Sequence, residues 1–418
     1  MPTLSDKLKG LGVRLGAGNT GQEVKARKVP IETVVEGVQI NTPEGEVFQA
    51  EAFYPIGHPH GSGTLCLASS LDLIGEWAGE GQIAGFAPEQ FAFIDTETTG
   101  LSGGAGTIAF MVGAGRFEKD GFRLVQLFMR EPGEEPALLH ALEEFLATCK
   151  AVVSFNGKSF DLPLLQSRWI ANGRSFPLKD IVHIDLLHLA RRLWRDRLPD
   201  RSLGYLETHI LNQIRTEEDT PGWMIPQMYF DYLRSRDARP MKGIFYHNAM
   251  DILTLAALTD HIAHLLADPL DGRVAEALDM AAIGKLNEEL GYQEQAAMIL
   301  TACLGQPLPA DARSQVVRRL SFLHKRLGEL PQALSLWWQA AADREYYAHE
   351  ELAKYFEHAE KNYIEALKWT ESALALLRAE GAYVERLQWE GAFEHRRKRL
   401  VEKLERFDGQ GNNTDEPG

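Results

Sequence analysis

The chain has 418 residues, 44% hydrophobic and 25% charged, which is long enough for two domains and apolar enough for ordinary cores, and so excludes a disordered or fibrous protein. Its 59 acidic against 44 basic residues leave a net charge of −15. Taken over the whole chain, that argues against indiscriminate affinity for phosphate backbones, which comes mostly from Lys and Arg. Cys66, Cys149 and Cys303 lie far apart with no CxxC pair, which excludes a disulfide framework or a thiolate zinc site.

The opening residues MPTLSDKLKGLG carry no apolar run of the secretory kind, and no run of about 18 apolar residues suggests a membrane span. A soluble, cytoplasmic protein without a membrane partner is expected. Residues 1–30 mix Gly, Lys and Arg without periodicity and are expected to form a flexible arm. Over 31–90 the alternation in ETVVEGVQI and EVFQAEAFYPI, broken by Thr42-Pro43-Glu44-Gly45, predicts a small β-rich segment packed on the domain that follows. His58 and His60 fall in a Gly/Pro loop without acidic or thiol partners and read as plain loop residues.

The stretch FAFIDTETTGL, Phe91 to Leu101, reads as a strand. Alternation puts Asp95 and Glu97 on one face, so two carboxylates share a small volume. Like charges that close favour an intervening cation, and hard oxygen ligands suit Mg²⁺ or Mn²⁺; a solvated strand end running into a Thr-Thr-Gly turn would use the same letters. Two further strands are predicted over 107–115 and 122–129, joined through Glu118-Lys119-Asp120-Gly121. Leu138, Leu142, Phe145 and Cys149 then recur at helical spacing, and 151–155 returns to strand. Strands that give way to strand and helix alternation predict an α/β domain with a mixed sheet.

In SFNGKSFDLPLL, Asn156-Gly157 turns the chain, Ser159 is read as an N-cap and Pro163 falls in the first helical turn, so Asp161 sits at a helix N-terminus. Asn156 and Lys158 in that turn have the reach to touch a phosphate or sugar. Residues 168–201 hold eight Lys or Arg against four Asp or Glu, including Arg191, Arg192, Arg195 and Arg197: a local basic wall, or an exposed helical face. The polar, proline-punctuated stretch 215–242 is read as a mobile or substrate-contacting insertion. In FYHNAMDILTLAALTDHIAHLL, Ile252, Leu255, Leu258, Ile262 and Leu265 trace one face of a helix. On it His247 stands one turn from Asp251, whereas Tyr246 is turned away. A His beside a carboxylate suits a general base, and a capped helix entry would also explain these letters.

IDTETTGL, FNGKSFDLPLL and YHNAMDIL, in that order, resemble the three motifs of the DEDD 3′–5′ exonucleases, which have a ribonuclease-H-like fold. The set is most similar to the YprB-type ribonuclease-H-like family, some of whose members carry tetratricopeptide repeats. The resemblance covers about 91–266. It implies a domain over 91–270 that hydrolyses phosphodiester bonds at the 3′ end of single-stranded DNA or RNA, with Asp95, Glu97, Asp161 and Asp251 holding two divalent ions, Mg²⁺ or Mn²⁺. Such a pair lowers the pKa of an attacking water and stabilises the leaving oxygen. It also implies that Thr98 and Leu101 touch the terminal nucleotide and that Asn156 and Lys158 lie near its backbone. The general base departs from the usual spacing: His247 stands four residues before the last Asp and Tyr246 five, and helix phase favours His247.

From 271 the chain turns helical. Gly291, Gly328 and Lys361 align, as do Ala296, Ala333 and Ala366, with spacings that resemble tetratricopeptide repeats. An all-α domain over 271–406, with a surface for a protein partner, is expected, and a disordered tail over 407–418; an unrelated helical bundle whose alanines recur by chance would use the same letters. A non-catalytic scaffold that only holds nucleic acid is the alternative to an enzyme.

Overall fold

A computed structural model describes residues 28–100 and 106–411, and the side chains through Arg406. Leu101 and most of the expected N-terminal arm and C-terminal tail lie outside the described residues. The described residues divide into two compact units, one made of those through Ala68, from Gly85 to His188 and from Ser202 to Asp260, the other of Ser69–Ala84, Leu189–Arg201 and those from His261 on.

The first unit is a mixed seven-stranded sheet flanked by helices. In chain order its strands are β1 (Val38–Thr42), β2 (Gly45–Pro55), β5 (Phe91–Thr98), β6 (Ala109–Glu118), β7 (Gly121–Phe128), β8 (Ala151–Ser154) and β9 (Val182–Asp185), and Pro59–His60 and Gly63–Thr64 pair apart from them as β3 and β4. The spatial order is β1-β2-β7-β6-β5-β8-β9. Strands β1 to β5 along that row run antiparallel, and β8 and β9 continue parallel to β5. The strands of the β-rich segment expected to pack on the following domain extend the main sheet at its edge, β2 pairing with β7 from Phe48 to Pro55. Within ETVVEGVQI only Val38 onward is strand. Ile31–Thr33 is a 3₁₀ turn that buries Ile31.

Helix α2 (Glu135–Leu146) and helix α3 (Asp161–Ala171) cover one face, packing with Ala92, Ile94, Val112, Val125 and Val152. The Arg168 guanidinium of α3 grips Glu135 of α2 through two bonds of 2.7 Å. The other face, which carries Phe93 and Asp95, is covered by helix α7 (Met241–Ala267), whose Phe245 ring meets Phe48 and Phe128. Helix α7 is long and apolar enough to cross a membrane, but 78% of its most apolar window is buried inside the protein. It is a core helix. Helices α5 (Leu203–His209) and α6 (Ile225–Ser235) complete the connections, and α4 (Leu186–Trp194) belongs to the second unit from Leu189 on. His60 is no plain loop residue: it is buried, and its Nε2 lies 3.0 Å from Thr254 Oγ1 of α7.

One row across the sheet sets the place of the chemistry. Ala50, Gln126, Gly113 and Asp95 are paired in register across β2, β7, β6 and β5. Gly113 in that row leaves room for Asn248 of α7, which is fully buried. Its Oδ1 accepts from Gln126 Nε2 at 3.0 Å and its Nδ2 donates to Asp95 Oδ2 at 2.9 Å.

The second unit is helical: α1 (Asp72–Ala78), then α8 (Ala277–Glu289), α9 (Gln293–Leu304), α10 (Ala310–Arg326), α11 (Leu330–Ala342), α12 (Tyr346–His358), α13 (Tyr363–Glu380) and α14 (Tyr383–Gly411). Successive helices from α8 pack on one another. Gly291, Gly328 and Lys361 all take the left-handed conformation in the turns between helices. The aligned Ala296, Ala333 and Ala366 are fully buried, where a larger side chain would hold the helices apart.

A Cβ on Gly113 would stand 2.1 Å from Asn248 Oδ1, and Asn248 is locked from both sides. Gly113→Ala should therefore cost about 1–3 kcal/mol of stability, the usual range for overpacking, whereas Gly133→Ala, where nothing lies within 4 Å, should cost little. Urea unfolding of the two variants side by side checks this, and equal losses would show that the row is not tight.

Candidate active site at the end of strand β5

Three elements deliver carboxylates to the C-terminal end of β5. Asp95 and Glu97 leave the strand on the α7 face, and a register shift between Glu97 and Thr98 ends the regular pairing there. Bulges of this kind re-aim side chains. Asp161 arrives from the opposite face as the first residue of α3, and Thr96, which faces that way, donates its hydroxyl to Asp161 Oδ1 at 2.5 Å. Ser159 is not the cap: the position before the helix belongs to Phe160, which makes no side-chain cap bond. Asp251 comes from α7.

The four acids act on one another. Burial pushes the Asp95 carboxyl well above its usual range, and the charges of Asp251, Glu97 and Asp161 push it further. Glu97, itself buried, is raised by burial and then by Asp251 and Asp161, with Arg215 opposing. Asp161 is pushed up to about 6, burial outweighing the Thr96 bond. Crowded carboxylates in a poorly solvated pocket are poised to take up cations or protons.

The chain supplies one strong counter-charge, Arg215. Its Nη2 bonds Asp251 and also Glu207 Oε2 at 2.5 Å. Burial disfavours the guanidinium charge, but Asp251 and Glu207 outweigh that and raise its pKa. The segment expected to be a mobile or substrate-contacting insertion is thus folded against α7 at its start. It brings Asp219 too, whose Oδ1 lies 2.8 Å from His247 Nδ1.

His247 stands one turn from Asp251, its Nε2 3.4 Å from Asp251 Oδ2. Its Nδ1 faces both Asp219 and Arg215 Nη1, the latter at 3.1 Å. A proton on Nδ1 satisfies Asp219 and leaves Nε2 as an acceptor; a proton on Nε2 satisfies Asp251 and lets Nδ1 accept from Arg215. The tautomer is therefore coupled to which acid holds the ring. Tyr246 turns the other way and its hydroxyl accepts the Thr216 N–H at 2.9 Å.

Of the other expected site residues, Thr98 ends β5 and Asn156 and Lys158 lie in the turn after β8. Buried Asp185 fixes the 156–158 turn, accepting from the backbone N–H of Asn156 at 2.7 Å and of Lys158 at 3.1 Å. Asn156 takes a positive φ of 67°, which Asn tolerates better than most residues. The Lys158 side chain is exposed and forms no ion pair among the described residues. Thr98 donates its hydroxyl to the Gly100 carbonyl at 2.9 Å.

Sequence patterns missed Arg215, Asp219, Asn248 and Gln126. Only Asn248 had a visible signal, a polar residue inside an apolar helix next to His247.

Whether this donor set suits a divalent cation follows from its chemistry: four oxygen-only carboxylates against one guanidinium is what Mg²⁺ or Mn²⁺ takes. Among the described residues no three His, Cys, Asp or Glu groups are already closed around a metal-sized point. Asp95, Asp161 and Asp251 are instead held by Asn248, Thr96 and Arg215.

The mixed sheet, with an acid-bearing first core strand and a covering helix that carries another acid, is a ribonuclease-H-like arrangement. The chain belongs to the RNase_H superfamily, whose family model matches residues 92–263 and whose members generally hydrolyse nucleic acids. Over 339 residues it is 34% identical to the uncharacterized protein YprB of Bacillus subtilis (strain 168), a match covering 78% of this chain and 79% of that protein.

Glu207 is 1% exposed at its side chain and Arg215 13%, so Arg215→Gln strands a buried carboxylate. We expect a loss of about 3–5 kcal/mol, as for other broken buried pairs, measured by urea unfolding without divalent ions. A loss below about 1 kcal/mol would mean that Arg215 does not balance the site.

Proposed function

We propose that this chain is a metal-dependent 3′–5′ exonuclease acting on single-stranded DNA or RNA. The observation that supports it above the others is the convergence of Asp95, Glu97, Asp161 and Asp251, from both faces of the sheet, beside His247. These four carboxylates would hold the divalent ions. Two such ions, when bound, supply the Lewis acidity that activates an attacking water and stabilises the leaving oxygen of an in-line displacement.

The chain's own residues do the rest. Asn248, held by Gln126, orients Asp95. His247 Nδ1–H donates to Asp219, which leaves Nε2, on the Asp251 side of the ring, as the acceptor for a proton of the attacking water. His247 is then the general base, and Tyr246, engaged with Thr216, positions the 215–222 segment. Thr98, Leu101, Asn156 and Lys158 are assigned to the terminal nucleotide and its backbone. The helices from α8 are assigned as tetratricopeptide-like repeats, on the support of their left-handed turn residues and buried alanines, and offer a surface to a protein partner.

A 5′-labelled oligonucleotide with Mn²⁺ should shorten from its 3′ end, a blocked 3′ end should resist, and EDTA should stop the reaction. His247→Asn should lower the rate on the order of 10² to 10⁴, the range for general acid–base catalysis. Tyr246→Phe should do much less. Full activity in the first with loss in the second would reverse the assignment, and binding without any release of nucleotides would leave a nucleic-acid-binding scaffold.

A further inference from the structure

The helical unit contains a cavity of about 770 Å³ lined by α4, α8, α9 and α10, with no residue in common with the carboxylate site. Its walls are basic. Arg191 and Arg192 come from α4 and Arg195 from the turn after it, Lys285 from α8, and Arg318, Arg319 and Arg326 from α10; Asp196, Glu288 and Asp311 are the acids among the lining residues. Seven cations to three acids reverses the balance of a chain whose net charge is −15.

The acids do not neutralise the cations one for one. Arg319 and Arg326 share the carboxylate of Glu288, and Arg192 is taken up by Glu289. Arg318 lies over the Tyr347 ring, 5.0 Å from its centre. Arg191 and Lys285 form no ion pair among the described residues. Burial, then the guanidinium groups of Arg192, Arg319 and Arg195, push the Lys285 ammonium below its usual range. Like charges gathered in a half-open cavity repel unless an anion joins them, and guanidinium groups match phosphate oxygens in a bidentate manner.

We propose that this cavity is a second nucleic-acid site, which takes phosphates of a single-stranded backbone between α4, α8 and α10. Its floor is Leu278, Ala281, Leu300 and Val316, and its one aromatic lining residue, Phe322, is half-buried, so there is no platform on which successive bases stack. Contacts go to phosphate and sugar and carry no sequence preference. The choice of nucleic acid over another polyanion rests on the nuclease assignment; the anion site itself rests on the cavity.

The test uses the full chain in EDTA, where nothing is cleaved, and a fluorescent oligothymidylate. Arg191→Glu with Lys285→Glu should weaken binding on the order of tenfold or more and make the slope of log affinity against log salt shallower by about 1.4, or about 0.7 for each of two lost phosphate contacts. Arg191→Gln with Lys285→Gln, checked by circular dichroism, serves if charge reversal unfolds the unit. An unchanged affinity and slope would overturn the proposal, as would displacement of the oligonucleotide by polyglutamate or inorganic phosphate as effectively as by unlabelled strand at matched ionic strength. Hydrolysis of the p-nitrophenyl ester of thymidine 5′-monophosphate with Mn²⁺ reads the carboxylate site separately. It should be equal in wild type and double variant, so weaker oligonucleotide binding with no ester hydrolysis in either protein would count against the nuclease assignment alone.

Discussion

Mutual repulsion among four carboxylates at the end of β5 is the interaction around which the first unit is arranged. Two unit charges 4 Å apart interact by about 4 kcal/mol at the effective dielectric of about 20 that suits protein sites, so a cluster of four does not form unless the fold enforces it. The sheet does so by ending β5 in a register shift and by bringing helices to it from both faces. The neighbouring polar groups restrain the acids one by one. Thr96 holds Asp161, Asn248 holds Asp95, and Arg215 spans Asp251 and Glu207. The row Ala50-Gln126-Gly113-Asp95 keeps Asn248 in its place.

Much of this was legible in the sequence because period and spacing are local. The alternation of FAFIDTET put Asp95 and Glu97 on one face, and the spacing of four put His247 over Asp251, as found. The Asp120-Gly121 pair marked the β6–β7 hairpin, and Gly291, Gly328 and Lys361, aligned by spacing alone, share a left-handed conformation. Pairings over long separations were not legible. Arg215 meets Asp251 across 36 positions and Gln126 meets Asn248 across 122; no local rule tells an arginine in a polar stretch which acid it will face. The Ser159 cap failed for a related reason, since the turn is fixed by Asp185, a residue two elements away, rather than by its own side chains.

Charge is also divided in a way that composition hides. The net −15 masks one acid-rich pocket in the first unit and one cation-rich cavity in the second. The basic run seen at Arg191 to Arg197 is divided between two uses. Arg197 is bound to Asp279 through a pair of 2.7 Å bonds, while Arg191, Arg192 and Arg195 line the cavity.

The central claim is that the carboxylate cluster is unfavourable by itself and is completed by a divalent cation. Thermal melting of wild type and Asp95→Asn, each with EDTA and with a titration of Mn²⁺, tests it most directly, since asparagine can still accept the Asn248 bond while removing one repelling charge. Without the ion the variant should melt higher than wild type. With Mn²⁺ the wild type should rise, by about 2.7 kcal/mol at a hundredfold excess over Kd, and the variant should respond far less. A variant that melts lower in EDTA, with Mn²⁺ raising both proteins alike, would contradict the account.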